Sequence, residues 1–438
     1  MSDYVTYDFG ANTIYISLVN GNQIFLPNIK NLSQNELELI FHLNKMDEPV
    51  ESIGRYDRAF FKTVYISIHS SSQCNLQCKY CFMKDRRTEN ISTVDACKFI
   101  DLIIRKYPDA EKYVVDPSGS GEPLLRFDFI IALAEYCKQR SVDIGKEIIP
   151  MLVTNGTLLS QEYVDRLQSA GYIFGVSIDG YKAVHDACRV TKTQGGTYNV
   201  VIRNIKRIKH KEFLGAAVTL TSEKTNLVKV VKTLYKYFPT ISIKPVRRTA
   251  ISPIGICEEN IDAIKDEYTK LNEFVLSKTL QGNLDYLGVL LNGDDYYGKF
   301  LLRVILNQKV ATRCDAGLGR FSLTPDLNII ACPGSIGIDD LVVGSLNQGV
   351  DYSKVNTLWE LMSRRKHCDG CEARFVCGGE CMVESYYTTG NIASVDHAMC
   401  VLKKHIFYLT LIFKLSLFQQ NEHIFKAVVS GCNKKARR

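Results

Sequence analysis

Three cysteines close together in the chain, Cys74, Cys78 and Cys81, have the spacing CxxxCxxC. A tetrahedral zinc site or a complete iron–sulfur cubane takes four protein ligands, so three thiolates leave one metal position open. An open position on a metal is where a cofactor or substrate can bind and react. A zinc site that lacks one ligand and three unrelated thiols are the alternatives. The spacing therefore predicts a reactive metal centre in this loop.

A second set of cysteines lies late in the chain. Four of them form the pattern CxxCxxxxxCxxxC, with two more upstream and one downstream: Cys368, Cys371, Cys377 and Cys381, then Cys314 and Cys332, then Cys400. So many thiols in one region are difficult to explain by packing. The other five cysteines have no such spacing and are expected to be small buried side chains: Cys97, Cys137, Cys188, Cys257 and Cys432.

Composition places the chain among soluble globular proteins of the cytoplasm. The hydrophobic share is 46% and the charged share 23%, and the N-terminus MSDYVTYDFG has no secretion signal. Fifteen cysteines in a reducing compartment indicate metal binding rather than disulfides.

The net charge of +7 comes from scattered Lys and Arg, which predicts no nucleic-acid partner. The apolar run from His405 to Phe418 is too short to span a bilayer and contains Lys414, so a buried helix is predicted instead of a membrane segment.

The first cysteine loop, in which the aromatic Tyr80 precedes the third cysteine, resembles the cluster loop of the radical SAM superfamily. The resemblance implies that its three thiolates hold a [4Fe-4S] cluster. It also implies that the amino and carboxylate groups of S-adenosylmethionine (SAM) occupy the fourth iron, with Tyr80 beside the cofactor. Iron exposed in this way further implies an anaerobic enzyme.

The turn Ser118-Gly-Ser-Gly-Glu-Pro123 resembles the GGEP motif, which contacts the SAM ammonium group in that superfamily. Glycines without a Cβ let the backbone approach a ligand closely. Ser120 departs from the motif, and function is expected to survive the change. The resemblance implies cofactor contacts by the whole motif: Gly119, Ser120, Gly121, Glu122 and Pro123.

A further stretch, Ser177-Ile-Asp-Gly180 followed by His185, Asp186 and Arg189, resembles the S-x-D-G…H-D…R pattern of sulfatase-maturing and peptide-maturing radical SAM enzymes. The resemblance implies that Ser177 lies near the SAM ribose and Arg189 near its carboxylate, for which a planar guanidinium is a suitable donor. A surface salt bridge is the alternative for Arg189. His185 and Asp186 are expected to hold the loop together.

The segment EARFVCGGEC, from Glu372 to Cys381, resembles the SPASM domain, which carries two auxiliary [4Fe-4S] clusters. The resemblance implies an outer cluster on four thiolates and an inner cluster on three: Cys368, Cys371, Cys377 and Cys400 for the outer, and Cys314, Cys332 and Cys381 for the inner. Zinc is the main alternative, because CxxC pairs also build zinc ribbons.

Three positions depart from the sulfatase-maturing branch. Arg320 stands where that branch has a further cysteine ligand, Leu327 where a glycine is usual, and Pro333 where an aspartate accepts a proton. The inner cluster is therefore predicted to have an open iron, which a substrate thiolate can ligate. No general acid or base is assigned.

The elements that position these residues alternate between strand and helix from Thr63 onward, which indicates a parallel sheet covered by helices. Six strands are predicted: Thr63 to His69, Tyr113 to Asp116, Ile148 to Thr154, Tyr172 to Ile178, Phe213 to Thr221 and Ile241 to Val246. The fold class is α/β, a partial (β/α)6 TIM-like barrel with a small N-terminal α+β cap and a C-terminal cysteine-rich Fe–S (SPASM) domain. In such barrels reactive groups collect at the carboxyl ends of the strands.

Five regions are predicted: a small unit at 1–60, the barrel at 61–250, a helical bridge at 251–310, the SPASM region at 311–405, and a C-terminal helix with a basic tail at 406–438. The first unit combines short strands with a helix from Ser33 to about Lys45, which a capping box with Glu36 initiates. It is interpreted either as a truncated leader-peptide-binding domain or as a cap packed on the barrel.

The predicted function is that of a radical SAM peptide maturase with three [4Fe-4S] clusters. It joins a cysteine sulfur to a carbon of another residue in a ribosomally made precursor peptide, as in sactipeptides and ranthipeptides, and takes electrons from a flavodoxin or ferredoxin. Carbon–carbon cross-linking of the cyclophane type and formylglycine formation on sulfatases are the alternative reactions. The alternative from another functional class is a zinc-dependent binding protein without enzymatic activity.

Overall fold

The computed structural model describes residues 4–9, 12–18, 20–27, 40, 43–44, 61–83, 90–223, 225–250, 252–363 and 365–436. The predicted helix from Ser33 to Lys45 lies almost entirely outside these residues. None of the helices in the described ranges has both the length and the apolar character that crossing a membrane requires.

The described N-terminal residues form an antiparallel sheet of three strands, β1 (Tyr4–Phe9), β2 (Asn12–Ser17) and β3 (Gln23–Pro27). This sheet contacts the cysteine-rich region. The Tyr7 hydroxyl donates a hydrogen bond to Glu372 Oε1 at 3.0 Å, and the Tyr7 ring lies 5.4 Å from that of Tyr408. The sheet thus covers the side of the molecule on which the late cysteines lie.

Six parallel strands and their helices follow, as the alternating pattern predicts. The strands are β4 (Thr63–Ile68), β5 (Lys112–Asp116), β6 (Glu147–Thr154), β7 (Ile173–Ser177), β8 (Leu214–Leu220) and β9 (Thr240–Pro245). The helices are α1 (Thr93–Lys106), α2 (Phe127–Ile144), α3 (Gln161–Ser169), α4 (Lys182–Cys188), α5 (Tyr198–Arg207) and α6 (Leu227–Leu234). The α/β fold class is confirmed, and α4 is an addition that the sequence did not predict.

Alternation along the strands decides what each face of this sheet presents. In β8, Leu214, Ala216 and Val218 are buried in the hydrophobic core, whereas Ala217 and Thr219 are outside it. Because successive strand residues point to opposite faces, the core positions face the helices and the small or polar positions face the barrel interior. Along β8 the wall of the interior is therefore small or polar, whereas β6 presents larger apolar side chains such as Val153 on the same face.

The chain then forms α7 (Ile261–Leu280), α8 (Asp285–Leu290) and α9 (Tyr296–Ile305). Four short strands continue the barrel sheet: β10 (Arg320–Leu323), β11 (Asn328–Ile330), β12 (Val342–Ser345) and β13 (Gly349–Val350). Strand β10 pairs in parallel with β4, and the other three follow in antiparallel order. The cysteine-rich region is therefore joined to the barrel through the sheet itself.

The last helices carry and support the late cysteines: α10 (Tyr352–Ser363), α11 (Arg374–Cys377), α12 (Met382–Thr389), α13 (His397–Gln420) and α14 (Glu422–Ala436). Short 3-10 turns occur at Pro123–Arg126, Pro333–Ser335, Asp339–Leu341 and Lys366–Cys368. Helix α13 packs against α7 and α9, with Leu411 and Phe413 fully buried. The buried C-terminal helix predicted from the apolar run is present and longer than expected.

Candidate functional site

The first cysteine loop directly follows β4, at the carboxyl end of the barrel strands. Two backbone hydrogen bonds fix it to the segment that ends α4, from Gln77 N to Val190 O at 2.8 Å and from Lys79 N to Cys188 O at 3.0 Å. Burial raises the pKa of Cys78 to about 11, and the thiols of Cys74 and Cys81 are close enough to contribute to that rise. The structure thus brings the three predicted ligands together.

In the described residues no three histidine, cysteine or carboxylate side chains converge as tightly as the ligands of a single metal ion. In a cubane each thiolate binds a different iron, so its ligands stand further apart than those of one ion. Three neighbouring thiols on a loop anchored by its backbone fit that donor set.

The glycine-rich turn after β5 lies against the loop that leads into the cysteines. Gly121 has φ +65°, and a Cβ there would stand 2.3 Å from the carbonyl oxygen of Gln73. Only glycine fits such a close approach between two backbones. The Ser120 hydroxyl donates to the carbonyl oxygen of Ser71 at 3.0 Å. The departure from the motif at Ser120 therefore adds a bond between the two loops and does not disturb them.

Glu122 is buried, and its carboxylate makes hydrogen bonds within the protein. It accepts from Thr154 Oγ1 and from the backbone N–H of Asn155, both at 2.7 Å, and from Leu124 N at 3.1 Å. Burial raises its pKa, and these hydrogen bonds act in the opposite direction. The side chain of Glu122 thus ties the glycine-rich turn to the end of β6.

Asn155 contacts the first cysteine loop, a role that the sequence analysis did not identify. Its Nδ2 donates to Asn75 Oδ1 at 2.8 Å and lies 4.0 Å from the sulfur of Cys74. Asn75 in turn donates to Thr157 at 2.8 Å. The sequence contained a signal for this contact. Asn155 and Gly156 directly follow β6, at the same edge of the sheet as the cysteines.

Asp179 connects the other predicted cofactor residues. It accepts hydrogen bonds from the Tyr80 hydroxyl at 2.7 Å and from Arg189 Nε at 3.0 Å, and Thr219 N donates to its second oxygen at 2.9 Å. The Arg189 guanidinium lies 5.3 Å from the centre of the Tyr80 ring. Ser177 ends β7, two residues before Asp179.

Arg189 is buried, so the alternative of a surface salt bridge is wrong. Burial opposes its charge, but Asp179, Tyr80 and Cys78 together outweigh that effect and raise the pKa of Arg189 above its usual value. Arg189 also acts electrostatically on Cys78. A permanent cation therefore lies beside the first cysteine loop, where a carboxylate ligand would be attracted.

His185 and Asp186 hold the loop together, as expected. His185 Nδ1 accepts from the backbone N–H of Asp179 at 3.3 Å, and its Nε2 lies 2.9 Å from Thr197 Oγ1. Asp186 accepts from Tyr198 N at 2.8 Å. Burial lowers the pKa of His185 to about 4, so the ring is neutral at physiological pH.

The late cysteines form two groups. Cys314 and Cys332 both act electrostatically on Cys381, and Cys314 also acts on Cys332. We call these three the inner group. Cys377 acts on each of its neighbours in the outer group, which are Cys368, Cys371 and Cys400. The structure thus assembles the same two sets that the resemblance implied, and the ligand assignment itself stays a prediction.

A cation stands beside the inner group. Arg320 Nε donates to Asp315 Oδ1 at 3.1 Å, and its guanidinium stacks 3.9 Å from the centre of the Tyr65 ring. Arg320 acts electrostatically on Cys332, and Cys314 acts on Arg320. A guanidinium does not bind iron, so Arg320 does not complete the ligand set of this group.

The other two departures from the sulfatase-maturing branch are Leu327 and Pro333. Leu327, in place of the usual glycine, has φ +64° in the turn between β10 and β11. This is the left-handed region that favours glycine. Pro333 begins a short 3-10 turn directly after Cys332 and supplies no group that accepts a proton.

The outer group contains a buried donor without a partner. Among the described residues nothing accepts a hydrogen bond from Nη1 of Arg365, and the Arg365 guanidinium acts on Cys368. An orphan donor in a buried place costs about 1–3 kcal/mol unless something accepts from it. The sulfides and thiolates of an anionic iron–sulfur cluster are suitable acceptors. This position therefore fits the cluster that the resemblance implied.

Comparison with known proteins agrees with the arrangement. The sequence profile of the radical SAM superfamily matches residues 68–234. A cysteine-type anaerobic sulfatase-maturating enzyme from Clostridium novyi is 25% identical over 174 residues, which cover 39% of this chain and about half (46%) of that protein. The radical SAM cyclopropyl synthase TigE from Paramaledivibacter caminithermalis is 23% identical over 371 residues, 77% of this chain and 72% of that protein.

Solved structures show the same fold. A histidine-tagged form of anSMEcpe with bound AdoMet superposes with a TM-score of 0.65 at 20% identity, covering 80% of this chain and 97% of the other. SuiB of Streptococcus suis bound to its precursor peptide SuiA gives a TM-score of 0.53 at 12% identity, covering 91% and 99%. Residues 68–234 are thus similar to the radical SAM superfamily, and the chain has the fold of anSMEcpe and SuiB.

Proposed function

We propose that this enzyme modifies a ribosomally made peptide by joining a cysteine sulfur to a carbon atom of another residue. Two structural neighbours support a peptide substrate, since anSMEcpe was solved with the Cp18Cys peptide and SuiB with the precursor peptide SuiA. The formation of a thioether in particular rests on the inner cysteine group.

The observation that carries the proposal is the incomplete ligand set of the inner group. The three thiols are electrostatic neighbours, and Arg320 stands where the resemblance implies a further cysteine ligand. A cluster held by three thiolates keeps one iron free for an external ligand. The thiolate of a substrate cysteine is a suitable ligand, and it would be held ready for bond formation.

The first site would prepare the carbon partner. When bound, a [4Fe-4S] cluster and SAM supply a 5′-deoxyadenosyl radical that abstracts a hydrogen atom. The chain's own residues place the cofactor: Arg189 offers a cation to its carboxylate, and Asp179 holds Arg189 and Tyr80 in position. The small side chains that β7 and β8 present to the barrel interior leave space for a peptide. Holding the reacting atoms at fixed positions is the main contribution that a protein makes to such chemistry.

A second reaction is worth testing because of one comparison. The cyclopropyl synthase TigE aligns over 77% of the chain, more than the 39% of the first sulfatase-maturating relative. Its name indicates carbon–carbon bond formation. Formylglycine formation has less support, because Pro333 replaces the proton-accepting aspartate that the resemblance implied for that branch.

The experiment is anaerobic co-expression with cysteine-containing peptides encoded beside the gene, followed by mass spectrometry. Thioether formation predicts the loss of two hydrogens per cross-link, with the participating cysteine protected from alkylation. A carbon–carbon bond gives the same mass change but leaves every thiol reactive. Formylglycine is revealed by an aldehyde that reacts with a hydrazide.

A pair of variants tests the role of the incomplete ligand set. Arg320→Cys offers a fourth thiolate to the inner group, whereas Arg320→Ala removes the same ion pair with Asp315 and adds no ligand. We expect Arg320→Cys to lose cross-linking while it still cleaves SAM, and Arg320→Ala to keep more cross-linking. Equal activity in the two variants would count against substrate ligation at this position.

A further inference from the structure

One stretch of the barrel carries a large excess of positive charge. Between Asp186 and Glu212 the chain has seven Lys and Arg and no Asp or Glu. The whole chain has 54 basic and 47 acidic residues, so the other 47 basic residues are matched in number by the acidic ones. The net charge of +7 is therefore concentrated in this stretch, and the expectation that it is scattered along the chain is wrong.

Helix α5 presents three of these cations to solvent. Arg203, Lys206 and Arg207 are exposed, whereas the apolar residues of the same helix are buried. Residues three and four positions apart share one face of a helix, so the three cations point the same way. They line a shallow hollow of about 450 Å³ whose other lining residues in the described chain are Asn199 and Ile202, neither of which is acidic.

The positive surface continues past the end of α5 into a groove of about 750 Å³. Four lysines line this groove beside two acidic residues, Glu212 and Asp285. The lysines are Lys209, Lys211, Lys236 and Lys435. Apolar surface also lines the groove, since Tyr237 is half-buried and Leu284 is 37% exposed. The groove therefore combines a net positive charge with apolar contact area.

Most of these cations have no anionic neighbour. We call the following six residues the basic belt: Arg203, Lys206, Arg207, Lys209, Lys211 and Lys236. In the described part of the chain, none of the six forms an ion pair with an acidic side chain, and Glu212 lies 4.0 Å from His210 instead. Exposed lysines of other helices do pair within one turn, as Lys270 does with Glu267 at 2.9 Å. The charge of the belt is thus available to an external partner.

The belt begins beside the candidate site. Two hydrogen bonds anchor the start of α5 to the loop that carries Arg189: Tyr198 N donates to Asp186 Oδ1 at 2.8 Å, and Thr197 Oγ1 donates to Arg189 O at 2.9 Å. The chain after α5 leads to Leu214, the first residue of β8. Parallel strands begin at the end of a barrel that is remote from its site. The belt consequently extends from the edge of the site along the outside of the barrel.

We propose that the basic belt binds an acidic segment of the peptide substrate, at a distance from the residues that react in the barrel. The inference rests on the proposed function for the peptide nature of the substrate. It adds a docking site on the outer surface of the barrel and the chemical character of the segment that docks there.

An extended acidic peptide matches the belt in spacing. The helix rises about 1.5 Å per residue, so Arg203 and Arg207 are about 6 Å apart along its axis. Side chains on one side of an extended chain are about 6.6–6.8 Å apart. Glutamate or aspartate at every second position therefore meets successive cations of the belt. A row of such pairs attracts an oppositely charged chain and fixes its register.

The position of the belt favours a peptide over a nucleic acid. Helix α5 is about 15 Å long, and ten residues of extended peptide span about 33 Å. A single peptide thus reaches from the groove along α5 to the loop of Arg189, where its reacting residues enter the barrel. A nucleic acid on the belt has no such connection with the proposed reaction, and its binding is the competing outcome of the test.

Fluorescence anisotropy with the full-length protein tests the proposal. The probe is a labelled peptide of alternating glutamate and serine, about sixteen residues long so that it exceeds the belt. The same peptide with glutamine in place of glutamate, and a single-stranded oligouridylate of similar length, are the comparisons. We expect the acidic peptide to bind most tightly, and its Kd to rise with added salt because salt screens exposed charges.

Charge reversal on α5 should weaken binding of the acidic peptide. Arg203→Glu/Lys206→Glu/Arg207→Glu replaces three attractive contacts by repulsive ones, so its Kd should rise at least about tenfold. Lys209→Glu/Lys211→Glu/Lys236→Glu tests the groove independently and should act in the same direction. Arg203→Lys/Lys206→Arg/Arg207→Lys keeps the charge and should keep the affinity.

The matched control is Lys98→Glu/Lys138→Glu/Lys426→Glu. These three lysines are exposed on α1, α2 and α14, and their reversal changes the net charge by the same amount. The control should leave the Kd within about twofold of the wild-type value, because the reversed charges lie away from the belt. Equal weakening by control and belt variants, or tighter binding of the glutamine peptide or the oligouridylate by the wild type, would overturn the proposal.

Dithionite-driven SAM cleavage without any peptide separates docking from folding and from the proposed function. It should be unchanged in all the variants, since the belt residues belong to neither cysteine loop nor cofactor turn. Binding of the probe is measured without SAM, so an absence of thioether formation contradicts the proposed function and not the docking site. An unchanged Kd in both belt reversals contradicts the docking site and leaves the proposed function standing.

Discussion

Asp179→Asn is the change whose effect the structure predicts most sharply. Asp179 is 1% exposed, accepts hydrogen bonds from Tyr80 and Thr219, and forms a buried ion pair with Arg189. The asparagine has the same shape and keeps one oxygen, so the backbone N–H of Thr219 still has an acceptor. It removes the negative charge, and the guanidinium is left buried without its counterion.

Removing one partner of a buried ion pair costs about 3–5 kcal/mol, because the remaining charge stays desolvated. Since the asparagine oxygen preserves one hydrogen bond, we expect a loss near the lower end, about 3 kcal/mol of unfolding free energy. Tyr80→Phe removes a single hydrogen bond to the same carboxylate and should cost about 1.5–3 kcal/mol. Because the ion pair also orients Arg189, SAM binding should weaken in Asp179→Asn.

Urea denaturation of anaerobically purified protein, with SAM binding measured by calorimetry, provides the readout. Glu147→Gln is the control, because Glu147 pairs with Lys112 at 3.0 Å on the neighbouring strands but is 57% exposed. An exposed pair of this kind contributes about 0–1 kcal/mol. If Asp179→Asn loses no more stability than Glu147→Gln, or binds SAM as well as the wild type does, the role assigned to Asp179 is refuted.

Three further predictions concern backbone conformation and pH. Leu327→Gly should raise the unfolding free energy by about 1 kcal/mol by relieving the left-handed φ, whereas Leu327→Ala should not, and denaturant titration of both variants checks this. Gly121→Ala should abolish SAM binding in calorimetry because its Cβ would meet the carbonyl oxygen of Gln73 at 2.3 Å, and normal binding would contradict that contact. Burial lowers the pKa of Lys414 to about 8, so the unfolded state binds more protons between about pH 8 and 10.4 and stability should rise with pH there. Lys414→Met should weaken that rise in denaturation series at several pH values, and an unchanged slope would argue against a desolvated lysine.

The sequence predicted the parts of the molecule whose signals are local. The six parallel strands have long apolar runs bounded by turns, and the structure places each of them within a few residues of its predicted position. The position of the first cysteine loop after β4 followed from the same pattern. The division of the late cysteines into two groups came from the family resemblance, and the assignment of cluster ligands stays a prediction.

Features that depend on distant partners were not predictable in this way. Strands β10 to β13 have only two to four residues each, too few for a period to be recognised, and the pairing of β10 with β4 is a tertiary effect. Arg247 and Glu380 are 133 positions apart, and nothing local in either segment indicates that they pair. Arg303 lies in the region at 251–310, which was predicted only as a helical bridge, yet it acts on Cys377.

The contacts of the N-terminal unit were also not predictable from the sequence. Its short strands were predicted, but neither the leader-binding interpretation nor the cap interpretation included its contacts with Glu372 and Tyr408. Aromatic residues on a short sheet do not indicate what they will pack against. Binding of a leader peptide by this sheet stays a prediction.

The most direct test of the account is SAM cleavage by anaerobically purified protein reduced with dithionite, with iron and sulfide counted in the same sample. We predict a brown protein that contains inorganic sulfide and releases 5′-deoxyadenosine, and a Cys74→Ala/Cys78→Ala/Cys81→Ala variant that releases none. A colourless protein without sulfide, or cleavage that persists in the triple variant, would contradict the central claim that these three thiols hold the cluster that activates SAM.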